Sequence, residues 1–271
     1  MPELPEVETT RRGLAPHLEC HRFIGAVVRD ARLRHGGVAE LAHVLRDEEI
    51  ERVSRRGKYL LVHCAHGTLV IHLGMSGSLR VVPVATPPQL HDHVDLLLDS
   101  GLCVRLRDPR RFGSMFWVRG DPAQHKLLRD LGPEPLSDEF NGDTLWQATR
   151  NRSAAIKQVI MDHHVVVGVG NIYANEALFL AGIRPGRAAR RLRRLDCDAL
   201  AATIKQVLHA ALKVGGTTLR DYVRSEGSPG YFQLELFVYG RAGEPCRRCH
   251  SPIKAIRLGQ RSTFYCPRCQ A

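Results

Sequence analysis

An α+β fold, with a β domain, a helical domain and a metal-stapled hairpin in chain order, is predicted by three observations. The first half carries short Val- and Leu-rich runs punctuated by Gly, Asp and Pro. The second half carries apolar residues at helical spacing, and the chain closes on four cysteines arranged as two CxxC knuckles. Element by element, a helix is expected over residues 7–18. Strands follow at 22–32, 58–63, 68–72, 78–82, 93–98, 102–107 and 114–118, with one helix at 38–46 among them. Several short strands with tight turns suggest a β-sandwich or a barrel. The segment LGPEPLSDEFN, residues 131–141, has two prolines and a polar run and reads as a linker. Beyond it, Ser153 can cap a helix reaching Met161, and Asn171 begins another that runs to Leu180. The apolar VVVGVG between them is a tight turn, and a helix pair joined in this way is a familiar means of holding DNA. A helix over 198–214 puts Leu200, Ile204, Val207, Leu208, Ala211 and Leu212 on one face, and Gly215-Gly216 stops it. The Gly/Pro-containing loop SEGSPGY, residues 225–231, precedes the cysteine hairpin.

The 271 residues predict two domains or one large one, and 44% hydrophobic with 25% charged residues is a globular composition, not a disordered, collagen-like or coiled-coil one. No run approaches the ~20 apolar residues of a membrane span. The start MPELPEVETTRR has no basic region leading into an apolar stretch, which argues against a signal peptide and for a cytoplasmic protein. Lys and Arg number 39 against 28 Asp and Glu, a net charge of +11, which points to a polyanionic partner such as nucleic acid. The charge is concentrated. Residues 184–194 hold six arginines and no acid, and residues 246–271 hold Arg247, Arg248, Lys254, Arg257, Arg261 and Arg268, again with no acid. Two such patches suit a phosphate-binding face better than scattered charge.

Cys20, Cys64, Cys103 and Cys197 are isolated and read as reduced core residues. The other four follow the spacing Cys246-x2-Cys249-x16-Cys266-x2-Cys269. Two knuckles so separated set four thiolates at the corners of a tetrahedron across a hairpin, as Zn²⁺ requires. A pair of disulfides is the alternative, which a cytoplasmic setting disfavours. Four protein ligands leave no open position, so one structural zinc is expected, with His250 a bystander beside the first knuckle.

Residue 2 is proline, followed by Glu3 and Glu6. Removal of Met1 before a small residue would make Pro2 a free secondary amine, and an α-amino group has a pKa of about 7.7–8.0. Such an amine can attack an electrophilic carbon to give an iminium, with the Glu3 carboxyl at hand as acid or base. Pro2 as a helix starter, with glutamates complementing the helix dipole, is the other reading. The motif GVGNIY has two glycines of a dinucleotide fingerprint but lacks the third and follows no βαβ unit, so a Rossmann reading is weak.

PELPEVET at the start, RGKYLL around Lys58, HLGMSG from His72, HDHVD from His91, DPRRFG from Asp108, LGPEPL from Leu131, VVGVGNIYA ending at Ala174, and the four-cysteine hairpin occur in this order. Together they resemble the formamidopyrimidine-DNA glycosylase family from Pro2 to Gln270. The resemblance implies an N-terminal helix with a β-sandwich domain, then a helix-two-turn-helix domain with a zinc-bound β-hairpin. It divides the chain into a catalytic domain at 2–131, a linker at 132–150, a DNA-binding domain at 151–224, a lesion-recognition loop and connector at 225–240, and the zinc hairpin at 241–271. It also implies excision of oxidised purines, notably 8-oxoguanine, from double-stranded DNA, followed by strand cleavage at the abasic site, in a monomer of the bacterial cytoplasm associated with the nucleoid.

Carried over by resemblance, Pro2 is the nucleophile that attacks C1′ of the damaged nucleotide, and Glu3 the proton donor that helps open the sugar. Glu6 is a second acidic residue near the site. Lys58 contacts the phosphate beside the lesion and assists catalysis. Asn171 at a helix start is a phosphate ligand, which suits the positive end of a helix dipole. Arg261 is the second phosphate clamp, counted with the catalytic residues. Lys157, His72, His91 and Tyr239 are further DNA contacts. A stacked base must be swung out before it can react, and Met75, Arg110 and Phe112 match the set that fills the vacancy: Phe112 as wedge, Arg110 bonding the widowed cytosine, Met75 as adaptable filler. The sister enzyme endonuclease VIII removes oxidised pyrimidines with the same fold; the PELPE start, the Arg110–Phe112 pair and the SPGYF loop favour the purine enzyme. A non-catalytic DNA-binding or scaffold protein is the rival of another class, and Pro2, Glu3 and Lys58 together argue against it. Two departures stand out. His163 replaces an amide residue that commonly follows MD, and His250 stands where Gly often follows the first knuckle; His tolerates a left-handed backbone better than most residues, so the knuckle is expected to survive.

Overall fold

The computed structural model describes residues 2–34, 37–215 and 235–271. The chain divides into two compact units, one built on residues 2–129 and the other on 130–214 and 235–271. The predicted loop at 225–231 lies outside the described residues.

The first unit opens with α1 (Leu4–Leu18), followed by β1 (Phe23–Val28), α2 (Leu41–Val44), β2 (Ile50–Arg56), β3 (Tyr59–Cys64), β4 (Gly67–His72), β5 (Ser78–Pro83), β6 (Asp92–Leu98), β7 (Leu102–Arg107) and β8 (Ser114–Val118). The strands form two antiparallel four-stranded sheets, ordered β1-β6-β7-β5 and β2-β3-β4-β8. Of the sandwich and the barrel, the structure is the sandwich. Alternate residues of each sheet turn into one core: Leu60, Val62 and Cys64 from β3, Leu69 and Ile71 from β4, Leu96 and Leu98 from β6, Val104 and Leu106 from β7. Val7, Leu14 and Leu18 of α1 lie on one helical stripe and join that core. β2 was not among the predicted strands: Glu-Arg-Val-Ser-Arg-Arg carries too little apolar alternation to be read as one, and its pairing with β3 supplies what its side chains do not.

The second unit contains α3 (Gly142–Thr149), α4 (Ile156–Ile160), α5 (Asn171–Leu180), α6 (Arg194–Lys213), and the hairpin of β9 (Lys254–Leu258) and β10 (Arg261–Tyr265). Three expectations need correction. The predicted linker at 132–150 carries α3, whose start is the Asn141 cap: its side chain accepts from the Thr144 N–H at 3.0 Å. Ser153 caps nothing, since α4 starts at Ile156 after an extended Ala155. Cys20 is exposed, in a left-handed position (φ +66°) just past the end of α1, whereas Cys64, Cys103 and Cys197 are buried as expected. α5 is buried almost all round and packs against α6 and β10, so the hairpin is part of this unit's core. Among the described residues, no helix is long and apolar enough to cross a membrane.

A buried ion network crosses the sheet containing β6 and β7. Arg105 grips Asp95 with two parallel bonds of 2.7 and 2.8 Å, Arg29 adds a third at 2.6 Å, and Arg80 holds Asp92 at 2.9 Å. Burial pushes the Asp95 carboxyl up, but the bonds from Arg105 and Arg29 outweigh it and hold the group below its ordinary value. Such a carboxylate contributes stability that is complete above the unfolded pKa of about 3.9 and is lost as pH falls through the folded value. Asp95→Asn is therefore expected to cost about 3–5 kcal/mol at neutral pH by stranding a buried guanidinium, and to flatten the loss of stability below about pH 4. Urea unfolding read from Trp117 on β8, with Trp146 replaced by Phe, measures both; an unchanged midpoint and acid slope would rule the network out as a stabilising element.

Candidate active site and nucleic-acid interface

The chain start is built into the fold. Glu3 is the extended residue before α1, and its N–H donates to the Glu6 carboxylate at 2.9 Å. Glu3 and Glu6 are buried, as is Pro2, whose nitrogen in the 271-residue chain belongs to the Met1–Pro2 amide. Removing Met1 both creates the amine and takes away the residue in front of it.

The Lys58 turn is tied to the same helix. Glu19 accepts from the Val53 N–H at 2.9 Å, and Arg55 reaches Glu8 at 3.4 Å while donating to the Gly57 carbonyl at 2.7 Å. Running back along α1 from Glu19 to Glu8 follows β2 forward from Val53 to Arg55, so the start of α1 and the 57–58 turn lie at the same end of this pair. Gly57 takes φ +57°, which the two-residue loop between Arg56 and Tyr59 needs at its first position, and Lys58, half-buried, is the second. Burial raises the Glu8 pKa, but Arg11, Arg12 and Arg55 bring it net below its ordinary value. Neither Glu8 nor Arg55 was singled out in the sequence, because each looks like ordinary helix or strand charge until the cross-link is seen.

Met75, Arg110 and Phe112 come together on two adjoining loops. Phe112 is 42% and Met75 37% exposed, and the Arg110 guanidinium lies 5.0 Å from the centre of the Phe112 ring. The loops touch at Gly74 (φ +64°), where a Cβ would come within 2.3 Å of the Phe112 backbone, so only glycine fits. His72, at the end of β4, stacks obliquely on Tyr59 at 4.8 Å and accepts from the Gly74 N–H at 3.1 Å. His91 occupies a left-handed position (φ +73°) before β6.

In the second unit the expected phosphate ligands converge on the hairpin. Asn171 opens α5 and donates to the Ser262 carbonyl at 3.1 Å; its side-chain oxygen is buried and has no hydrogen-bond partner. Arg261 is exposed at the start of β10, beside the turn Gly259-Gln260, where both residues have positive φ as a tight two-residue hairpin loop demands. Tyr239 is half-buried, its ring edge-on to Phe264 at 5.2 Å. Lys157 departs from expectation as a DNA contact. It is 1% exposed, and its ammonium donates to the Ser262 carbonyl at 3.0 Å and to Thr263 Oγ1 at 2.7 Å. A buried ammonium must be bonded inside the protein, and here those bonds fasten the hairpin to α4. Glu176, which no sequence motif marks, does similar work from α5: its carboxylate accepts from the N–H groups of Phe237, Val238 and Tyr239 at 2.7–3.0 Å. Burial pushes its pKa up despite those bonds.

The four cysteines cluster, with their sulfurs all within 4.8 Å of one another and pairs at 3.4 and 3.9 Å. A tetrahedron with Zn–S bonds of about 2.3 Å has edges of about 3.8 Å, so these thiols fit one zinc ion. His250 takes φ +60° and is exposed, the left-handed knuckle position anticipated for it. At the other departure, His164 Nδ1 lies 2.7 Å from the Asp130 carbonyl and Asp162 is paired with Arg152 at 2.8 Å. The basic patches are partly structural: Arg187 and Arg193 both pair with Asp196, Arg194 with Asp143 and Arg247 with Glu235, while Arg248 covers the Phe179 ring.

Residues 1–115 match the formamidopyrimidine-DNA glycosylase N-terminal domain, 131–223 its H2TH domain, and 243–271 the zinc finger found in FPG and IleRS. The formamidopyrimidine-DNA glycosylase of Thioalkalivibrio sulfidiphilus is 58% identical over 270 residues, with both chains fully covered. The crystal structure of the MutM (Fpg) protein of Thermus thermophilus has a TM-score of 0.89 at 39% identity, covering 99% of this chain and 98% of that one. Structures of Lactococcus lactis Fpg with abasic-site DNA and with DNA containing an oxidised pyrimidine each give 0.91 at 33% identity, covering 99% of both chains.

Since the zinc-bearing hairpin shares a core with α5 through Phe179, Val238, Ile253, Cys246 and Cys266, chelation is expected to release one zinc per chain. It should disturb the fluorescence of Trp146, in the helical unit, before that of Trp117, in the sandwich. Simultaneous loss of both signals would show that the hairpin does not belong to the helical unit alone.

Proposed function

The chain belongs to the formamidopyrimidine-DNA glycosylase family, and from that premise we propose that it is a bifunctional DNA glycosylase and abasic-site lyase that excises oxidised purines from duplex DNA and then nicks the strand. The observation that carries this reading is the Pro2-Glu3 start, held at the head of α1 by the Glu3–Glu6 bond, at the end of that helix to which the Lys58 turn is tied.

With Met1 removed, the Pro2 nitrogen attacks C1′ of the damaged nucleotide. The bond to the base breaks, Glu3 supplies the proton that opens the sugar, and the product is an iminium between Pro2 and C1′. The iminium draws electrons from the C2′–H bond. Loss of that proton expels the 3′ phosphate by β-elimination, and a second, δ-elimination releases the 5′ phosphate. Lys58 meets the phosphate beside the lesion and assists catalysis, and Arg261, exposed at the start of β10, serves as a second phosphate clamp. Asn171 adds the positive end of the α5 dipole. Zinc supplies no chemistry to these steps: four sulfur ligands shape the hairpin that carries Arg261.

The Lactococcus structure with an oxidised pyrimidine gives a second reading, in which damaged pyrimidines are also processed. Duplexes with 8-oxoguanine and with thymine glycol separate the two. Faster excision of 8-oxoguanine is expected, and a preference for thymine glycol would overturn the purine assignment. A preparation retaining Met1 should lose both base excision and strand nicking while keeping DNA affinity, because a tertiary amide nitrogen is not nucleophilic. Undiminished turnover in that preparation would exclude Pro2 as the nucleophile.

A further inference from the structure

Met75 and Phe112 are large apolar side chains left in water, and nothing in the hydrophobic effect keeps them there. Something must hold their loops in place. One fully buried carboxylate, Asp108, sits beneath both. Its Oδ1 accepts from Ser76 Oγ at 2.8 Å, on the Met75 loop, and from the Arg110 N–H at 3.3 Å. Its Oδ2 accepts from the Gly113 N–H at 2.8 Å, just past Phe112. The Arg110 N–H also reaches Ser76 Oγ at 3.2 Å, which closes a ring between the two loops. The Asp108 backbone ties in a third segment: its N–H donates to the His91 carbonyl at 3.0 Å, and its carbonyl lies 2.9 Å from His93 Nε2.

We propose that Asp108 is a positioning residue for base extrusion: its buried carboxylate joins the Met75 loop to the Arg110–Phe112 loop and holds the three side chains in the posture that fills the gap left by an extruded base. This rests on the glycosylase reading above. Asp108 is fully buried, so it acts through the loops it bonds. A group that serves extrusion and not elimination has a distinctive signature. It matters when a stacked base must leave a duplex, and it does not when the sugar is already baseless and single-stranded.

The experiment compares two DNAs, a duplex containing 8-oxoguanine and a single strand with a preformed abasic site. Asp108→Ala is expected to lower kcat/KM on the duplex about tenfold or more, the scale of loss that a misplaced positioning group produces, with little change in cleavage of the abasic strand. 2-Aminopurine beside the lesion should brighten more slowly with the variant. Asp108→Asn, whose oxygen can serve Gly113 while its amide donates to Ser76 Oγ, should recover much of the loss. Ser76→Ala, which removes the bonds of Ser76 Oγ to Asp108 and to the Arg110 N–H without emptying the buried carboxylate site, should fall between and covers the case in which Asp108→Ala does not fold. Equal losses on both DNAs by a folded variant would show a merely structural role and overturn the proposal, as would full duplex activity in both Asp108→Ala and Ser76→Ala. A wild-type protein inert on both DNAs would overturn the glycosylase reading together with this one; an active wild type with unimpaired variants overturns this one alone.

Discussion

A residue at the end of a chain is restrained covalently only from its C-terminal side, and for the proposed nucleophile Pro2 the bond between the Glu3 N–H and the Glu6 carboxylate meets that constraint by fixing the last residue before α1 to the helix's first turn. From there the restraint spreads. α1 is packed into the sandwich by Val7, Leu14 and Leu18, and Arg55 bridges Glu8 to Gly57. The terminus is thus an extension of a rigid element, and the proposed amine would inherit the order of the sandwich core.

The second unit has a comparable arrangement around α5. This helix receives the hairpin through Asn171 and Asn175, accepts three backbone N–H groups on Glu176, and works beside Lys157 on α4. The hairpin strands have few buried residues of their own, and β9 is almost wholly exposed. Metal and polar anchors therefore add to the small core that the hairpin shares with α5. Arg261 can stay exposed at the start of β10 because the polypeptide beneath it is held on both sides.

Much of this was legible in the sequence because the features are local. The CxxC spacing, the Asn171–Leu180 helix and strands such as Leu102–Arg107 follow from patterns within a few residues. What escaped depends on distant partners. β2 is polar and becomes a strand through its neighbour; α3 hides in a segment whose prolines and acids read as linker; Lys157 looks like a DNA contact until Ser262 and Thr263, more than a hundred residues away, are brought beside it. The arginine patch at 184–194 is the clearest mixed case. Its charge is real, yet Asp196 and Asp143 engage three of its six guanidiniums, which composition cannot reveal. Asp108 likewise sits in a motif that draws attention to Arg110 and Phe112, and its own importance appears only in its bonds.

The most direct measurement of the proposed covalent chemistry is borohydride reduction during incubation with abasic duplex DNA, followed by proteolysis and mass spectrometry of the cross-linked peptide. A stable adduct is expected whose mass places the sugar remnant on the nitrogen of Pro2 in chains lacking Met1. An adduct on a lysine, or none while strand cleavage proceeds, would contradict it.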